Sequence, residues 1–520
     1  MLDLGRTFLQ SVERNPGATA LVDGDLRMTY AQWAGAIGAV ARGLAALGLS
    51  RGDQLLSVLQ NRSEAATLHW ACQFAGIVIT PLNWRAKGDE IDYCIADSGA
   101  KAIVYEPVAD DAIAASKLAP GLVRVGVGGA AGAALRFDDW QHQRRDPEPR
   151  AAAHDWSLML YTSGTTGRPK GVPRRHRAER IAALAHVAQN RYAVGESTLG
   201  VMPLYHTMGV RSLLALTLLD GSFVCLRRFD AGQALAAIER ERLTHLYLVP
   251  TLYHDLLAHP RFARTDVTSV RKLGFAGAPM HDALLARLQA AFEPELFVNH
   301  YGSSEIYTFS INQRAPARPG SAGRAGLNAR LRIVKLGAQA PDARAAPGEE
   351  GQVIAELAGA EAFEGYHNRP DANAKALRGG WYFTGDTGYF DADGELFVTG
   401  RVDDMIISGG ENISPADIES VLSLHPAVDD VAVAGLKDER WGQRVVAFVR
   451  RRSDVSGAAL DAHCRSSDLA DFKRPREYVF VREVPKSPVG KVLRRKLVAG
   501  DYEAESLPLP LAGEGRGEGA

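Results

Sequence analysis

The stretch Ser157-Leu-Met-Leu-Tyr161-Thr162-Ser163-Gly164-Thr165-Thr166-Gly167-Arg168-Pro169-Lys170-Gly171 decides how this chain is read. Residues 157–161 form a short apolar run of the kind that makes a buried strand. The string that follows is rich in Gly, Thr and Ser. Gly164, Gly167 and Gly171 let the backbone approach a ligand closely. Ser163, Thr165 and Thr166 add hydroxyls, and Lys170 adds charge. Such a loop after a strand can cradle phosphates. Its spacing is not GxxxxGK[ST], so it is not a Walker P-loop. A polar surface loop is the plain alternative for a shorter Gly/Thr segment. A string this long behind a buried strand favours the phosphate reading.

Outward from this point the strand-then-loop pattern recurs. Apolar runs at 102–105, 223–226, 245–249, 273–276 and 296–298 end in Gly, Pro or small polar residues. Helical patterns at 31–49, 234–242 and 282–292 lie among them. Alternation of this kind predicts parallel βαβ units with helices on both faces. Ligands in such sheets bind beyond the carboxyl ends of the strands. The chain opens with an amphipathic helical pattern that puts Leu4, Phe8, Leu9 and Val12 on one face. From about Ala329 the pattern turns to short strands and turns at 331–335, 352–356 and 395–399, and then to a smaller α/β region.

The expected class is α/β: a large multi-subdomain N-terminal domain over 1–400, with parallel sheets flanked by helices and a small β region, and a small mobile α+β C-terminal domain over 401–500. Residues 501–520 are Pro/Gly-rich toward their end and are expected to form a disordered tail.

Composition narrows the function. The chain has 520 residues, with Lys+Arg 60 against Asp+Glu 61 and a formal net charge of -1. At roughly 100–200 residues per domain, two or more domains are expected. A neutral chain lacks the basic stripe of a general nucleic-acid binder. Any polyanionic ligand must be held by local features. Cys72, Cys94, Cys225 and Cys464 are too far apart for a CxxC site and suit a reducing cytosol. No apolar run approaches the ~20 residues that span a bilayer, and the first residues do not read as a secretory signal. The expectation is a cytoplasmic protein, monomer or homodimer, with no membrane or nucleic-acid partner.

Tyr161–Gly171 resembles the signature of the adenylate-forming superfamily: acyl- and aryl-CoA ligases, peptide-synthetase adenylation domains and firefly luciferases. Further motifs follow in that family's order. They are Met202-Pro-Leu-Tyr-His206-Thr207-Met208, Phe275-Ala-Gly277-Ala278-Pro279, Tyr301-Gly302-Ser303-Ser304-Glu305, Thr384-Gly-Asp386, Gly400-Arg401-Val-Asp403, and a late lysine, Lys491. Each motif alone is weak, but the ordered set is specific and covers nearly the whole chain. It implies an AMP-forming carboxylate–CoA ligase that uses ATP, Mg²⁺ and CoA. A carboxylate is too poor an electrophile to meet a thiol directly. Attack on the α-phosphate of ATP gives an acyl-adenylate and pyrophosphate; acyl transfer to CoA then releases AMP.

The resemblance also implies site roles. Thr162, Ser163, Gly164, Thr165, Thr166 and Lys170 form the phosphate loop, with Thr166 close to the chemistry. Glu305 holds Mg²⁺, an ion that prefers oxygen ligands. Tyr301 stacks on adenine beside Gly277, Ala278, Pro279, Gly302, Ser303 and Ser304. Asp386 accepts the ribose hydroxyls and Arg401 contacts ribose or phosphate. Lys491 bridges the carboxylate and α-phosphate oxygens. Relatives swing the C-terminal domain about the position matching Asp403. Gly410 would then line a pantetheine tunnel, with Trp441, Phe472, Lys473, Arg474 and Arg476 at CoA. Taken alone, that basic cluster reads as a solvated face.

Within the superfamily the motifs most resemble 4-chlorobenzoate–CoA ligases, which points to a small aromatic acid. His206 would guard the pocket near the carboxylate, and Gly302 would line it. Thr207, Met208, His300, Tyr307 and Thr308 depart from that group. His300 and Tyr307 add bulk and hydrogen-bonding capacity, which suits a smaller or more polar ring. Residues 299–308 also resemble 2-furoate–CoA ligases, so 2-furoate is the leading example and benzoate or a hydroxybenzoate stays open. The alternatives are a fatty or other acyl-CoA synthetase, a carrier-loading adenylation enzyme, and, remotely, a non-catalytic binding relative.

Overall fold

The computed structural model describes residues 2–141, 144–162, 169–486 and 492–505. By compactness the chain divides into two units, Met1–Met280 with Leu284–Val398, and His281–Ala283 with Thr399–Ala520.

The first unit holds two sheets. In the smaller one, seven strands among the described residues run in the order Leu135–Arg136, Val123–Gly126, Ala102–Tyr105, Gln54–Val58, Val78–Pro81, Trp156–Thr162 and Lys170–Arg175. All neighbours are parallel except the last pair. That pair is a hairpin in which Thr162 faces Lys170. Thr162 and Lys170, the two ends of the expected phosphate loop, are therefore paired neighbours in this sheet.

The larger sheet has a parallel centre: Thr19–Asp23, Ser222–Cys225, Ser197–Gly200, His245–Leu248, Lys272–Phe275 and Leu296–Tyr301. Leu248 lies opposite Phe275, and Phe275 opposite Asn299, so these strands end together. The strands after residue 329, expected as a small β region of this domain, continue this sheet. Ser310–Asn312 and Ser321–Ala325 pair antiparallel beyond Tyr301 and link it to Leu396–Arg401, Trp381–Phe390, Gly351–Glu356 and Leu331–Val334.

The opening helix is Leu4–Arg14, capped by Asp3, whose carboxylate accepts from the Arg6 amide at 2.9 Å. Phe8 sits against Trp70 at 4.9 Å and Trp33 at 5.3 Å between ring centroids. Leu9 and Val12 of the expected stripe are only half-buried, whereas Thr7 and Ser11 are buried. Their hydroxyls donate to the carbonyls of Asp3 and Thr217, and these bonds remove the cost of burying them. All four cysteines are buried and unbridged.

The second unit is an antiparallel sheet of Glu411–Ile413, Ile406–Ser408, Gly442–Arg451 and Val428–Asp438, with Glu477–Phe480 added parallel. Helices Pro415–Ser423 and Gly457–Arg465 bring Ile418, Leu422 and Leu460 against its apolar face. Residues 501–505, expected in the tail, are instead part of this unit. Ala504 bridges Val481, Glu505 pairs with Arg451 at 2.8 Å, and the Tyr502 ring packs on Phe448. Residues 506–520 lie outside the described residues.

Candidate active site

Ser163, Gly164, Thr165 and Thr166 lie outside the described residues, as does Lys491. The stems of the phosphate loop do not. Lys170 begins the returning strand, and its Nζ stands 4.2 Å from the centroid of the Tyr366 ring. The Tyr366 hydroxyl donates to Glu305 Oε1 at 2.7 Å. One buried ring thus carries the loop lysine on its face and the expected metal carboxylate on its hydroxyl. Tyr366 escaped the sequence reading because nothing in Glu364-Gly365-Tyr366-His367 marks it.

Glu305 is placed by the tight connection after strand Leu296–Tyr301. The Ser303 amide donates to the Ile306 carbonyl at 2.9 Å, and Ser303 Oγ accepts from the Glu305 amide at 3.2 Å. Gly302 is required here, because a Cβ would collide with the Tyr307 carbonyl oxygen. Arg174, fully buried on the hairpin, clamps the turn from below. Its Nη1 donates to the Glu305 carbonyl at 3.1 Å and to the Glu361 carbonyl at 2.6 Å, and its Nε pairs with Glu179 at 2.8 Å. A buried charge needs such pairing, and losing one partner costs about 3–5 kcal/mol.

The expected adenine and ribose residues also meet. The Tyr301 hydroxyl donates to Asp386 Oδ2 at 2.5 Å. Asp386 lies in strand Trp381–Phe390, where the register against Gly351–Glu356 slips between Gln352 and Ile354. The slip is a bulge at Thr384-Gly385-Asp386, with Gly385 at φ 79°, a conformation that suits glycine. Thr384 Oγ1 donates to the Val353 carbonyl at 2.8 Å and accepts from the Asp386 amide at 3.0 Å, which holds the bulge. Gly277, Ala278 and Pro279 follow strand Lys272–Phe275 at its carboxyl end, and Gly277 turns the chain with φ 85°.

His206 is the N-cap of helix Thr207–Leu218, its Nδ1 accepting from the Met208 amide at 3.3 Å. Thr207, Met208, His300, Tyr307 and Thr308 are all buried. The Tyr307 hydroxyl donates to Glu179 Oε2 at 3.1 Å. Sequence reasoning missed Arg211, which donates to the Tyr307 carbonyl at 3.0 Å and to Thr308 Oγ1 at 2.8 Å. It stands one helical turn beyond Thr207 and Met208, and that spacing was the one available signal.

In the second unit Arg401 ends strand Leu396–Arg401, and Asp403 sits in the exposed turn Val402–Asp404. The Gly409 amide donates to the Trp441 carbonyl at 2.9 Å, and a Cβ on Gly409 would press on the indole at 2.8 Å. Arg440 and Arg476 stand 4.9 and 5.2 Å from the Trp441 ring centre. Phe472 is exposed. Lys473 is bonded to Asp417 at 2.6 Å, and Arg474 to Asp461 at 2.8 Å and Asp471 at 3.0 Å. A phosphate would compete with these carboxylates. Arg474, Arg476, Arg465 and Tyr478 line an open cleft of about 350 Å³.

A magnesium ion fits the donor chemistry at Glu305. A buried carboxylate with one oxygen oriented by Tyr366 is a hard ligand, suited to an ion whose remaining ligands are phosphate oxygens and water.

Residues 8–367 match the AMP-binding enzyme family, and residues 417–491 match the AMP-binding enzyme C-terminal domain. The chain therefore belongs to the AMP-binding enzymes, the adenylate-forming superfamily that its motifs resemble. A feruloyl-CoA synthase of Amycolatopsis sp is 34% identical over 498 residues, covering 94% of this chain and 97% of the relative. A 4-chlorobenzoate–CoA ligase of Arthrobacter sp is 32% identical over 500 residues, covering 94% and 93%. Among solved structures, the anthranilate CoA ligase AuaEII in complex with anthranoyl-AMP superposes with a TM-score of 0.88 at 26% identity, covering 96% of this chain and 97% of that one. The enzyme class is acid–thiol ligase, and ATP, Mg²⁺ and CoA are its cosubstrates and ion. Among the described residues no helix is long and apolar enough to cross a membrane.

Proposed function

We propose that this enzyme activates a small aromatic or heteroaromatic carboxylic acid, with 2-furoate the leading candidate. The reading is supported most by His300, Tyr307 and Thr308, which flank Gly302 in sequence and are buried although they are polar. A fatty acyl chain has no use for such groups, whereas a polar ring does. Feruloyl-CoA synthase and 4-chlorobenzoate–CoA ligase act, by their names, on ring-bearing acids, which supports the same class.

The residues divide the work as follows. Asp386, held by Tyr301 and by the bulge, accepts the ribose hydroxyls. Tyr301 offers its ring to adenine. Ser303 and Tyr366 aim the Glu305 carboxylate at the phosphates, where magnesium, when bound, supplies charge neutralisation. Lys170 and the loop hydroxyls position the phosphates. His206 stands at the acid's carboxylate. Lys491 joins the reacting oxygens in adenylate formation, and a backbone change near Asp403 serves thioester formation.

The test is pyrophosphate release, then CoA-dependent release of AMP, screened across 2-furoate, benzoate, hydroxybenzoates and medium-chain acids. Turnover of ring acids with a free acyl-CoA product is the expected result. Preferential turnover of medium-chain acids would overturn the reading.

A further inference from the structure

A buried polar cluster is bonded to Tyr307, Thr308 and His300, and the nucleotide chemistry does not use it. Arg211 is 2% exposed. Besides Tyr307 and Thr308 it donates through Nη2 to the Tyr247 hydroxyl, but its Nε has no partner among the described residues. Of the buried acids nearby, Glu179 pairs with Arg174 at 2.8 Å, and Glu361 accepts from Asn328 through Oε1 at 2.8 Å; Glu361 Oε2 has no partner among the described residues, and burial pushes this carboxyl pKa up.

Asn190 sets the protons on the two histidines beside this arginine. Its Nδ2 donates to the His186 carbonyl at 2.8 Å, and a carbonyl can only accept, so the orientation of the amide is determined. The same Nδ2 then donates to His186 Nδ1 at 2.9 Å, and Asn190 Oδ1 accepts from His300 Nε2 at 3.0 Å. The His186 proton is therefore on Nε2, and His300 Nδ1 is bare. Neither atom has a partner among the described residues. Burial, and then the charge of Arg211, hold both rings well below the usual histidine pKa, so both are neutral. The rings stand 5.1 Å apart, with the Tyr247 ring 4.8 and 5.2 Å from them. The cluster thus holds two unused donors, Arg211 Nε–H and His186 Nε2–H, among aromatic rings. Tyr247 and His300 bring it to the carboxyl ends of strands His245–Leu248 and Leu296–Tyr301, one residue from Tyr301.

We propose that this cluster is the specificity end of the acid pocket, where Arg211 and His186 donate to an oxygen acceptor on the substrate. The acid that the pocket selects then carries a ring oxygen, a phenolic oxygen or a second carboxylate. This inference rests on the ring-acid reading above. The bland alternative is a structural cluster whose spare donors are met by a buried water.

The experiment compares each acid that bears a further oxygen with a partner that lacks it, by kcat/KM for pyrophosphate release with the full chain. The pairs are 2-furoate against thiophene-2-carboxylate, 4-hydroxybenzoate against benzoate, and terephthalate against benzoate; the winning pair identifies the kind of oxygen. A charge-assisted hydrogen bond predicts a preference of about 10- to 100-fold in one pair. In Arg211→Met that ratio falls toward one. His186→Phe leaves the Arg211 bonds in place and lowers the same ratio, so the test stands if Arg211→Met fails to fold. The readout is a ratio of two acids on one variant, which a general loss of folded enzyme does not alter. No preference in the wild type, or a preference that survives His186→Phe, overturns the inference and leaves the ligase reading intact. If no ring acid supports pyrophosphate release, the ring-acid reading falls and the inference falls with it.

Discussion

The Tyr301 hydroxyl donates to the Asp386 carboxylate at 2.5 Å, joining the end of a parallel strand to a bulge in an antiparallel one. The bond fixes the carboxylate relative to the ring. Tyr301→Phe keeps the ring and removes the bond. The KM for ATP is expected to rise about tenfold, in keeping with loss of one hydrogen bond to a charged group. Asp386→Asn is expected to cost more, because it also removes the charge that accepts ribose hydroxyls. Initial rates of pyrophosphate release against ATP concentration check both; unchanged KM in Tyr301→Phe would show that Asp386 orients itself.

Tyr366 separates two effects. Tyr366→Phe retains the ring under Lys170 and loses the donor to Glu305. Tyr366→Leu loses both. The magnesium concentration giving half-maximal rate is expected to rise in the first variant by about tenfold. The second should add a further loss, because a cation–π contact contributes about 0.5–2 kcal/mol. Magnesium titrations at saturating ATP distinguish them. Equal behaviour of the two variants would remove Lys170 from the account.

Lys491→Ala is expected to slow adenylate formation by about 10²–10³ while sparing acyl transfer from preformed adenylate. Single-turnover assays of each half-reaction are the check. Equal damage to both halves counts against a role confined to the first.

Acid should weaken the fold through two histidines. Burial holds His69 at about 3 and His176 at about 4, against 6.5 when unfolded. The unfolded chain therefore binds more protons between these values. Stability is full above about pH 6.5 and declines as pH falls toward 4, by about 3 kcal/mol for His176. Urea unfolding of the wild type and of His176→Gln at pH 7.5 and 5 measures this. The variant should show the smaller difference between the two pH values.

Strand runs such as 102–105, 245–249 and 296–298 were legible because both faces of a parallel strand are buried, and burial leaves an apolar run in the sequence. Asp386 could be placed by motif only; as bare Thr-Gly-Asp it reads equally as a turn, and the bulge shows why. Tyr366, Arg174 and Arg211 were not legible. Their roles arise from contacts with Glu305, Glu361 and Tyr307, which lie far away in sequence, and no local pattern records such a contact. The half-buried Leu9 and Val12 teach a similar lesson. A hydroxyl that finds a carbonyl can occupy the face that periodicity reserves for apolar residues.

The four cysteines have a practical meaning for experiments in solution. All are buried, and burial raises every thiol, Cys94 to about 12. Almost no thiolate exists at neutral pH, and the thiolate is the reactive form. Maleimide dyes should therefore pass over the native protein. A cysteine introduced at an exposed site in each unit would be labelled selectively, so fluorescence energy transfer between the units can be followed during turnover in an otherwise wild-type background.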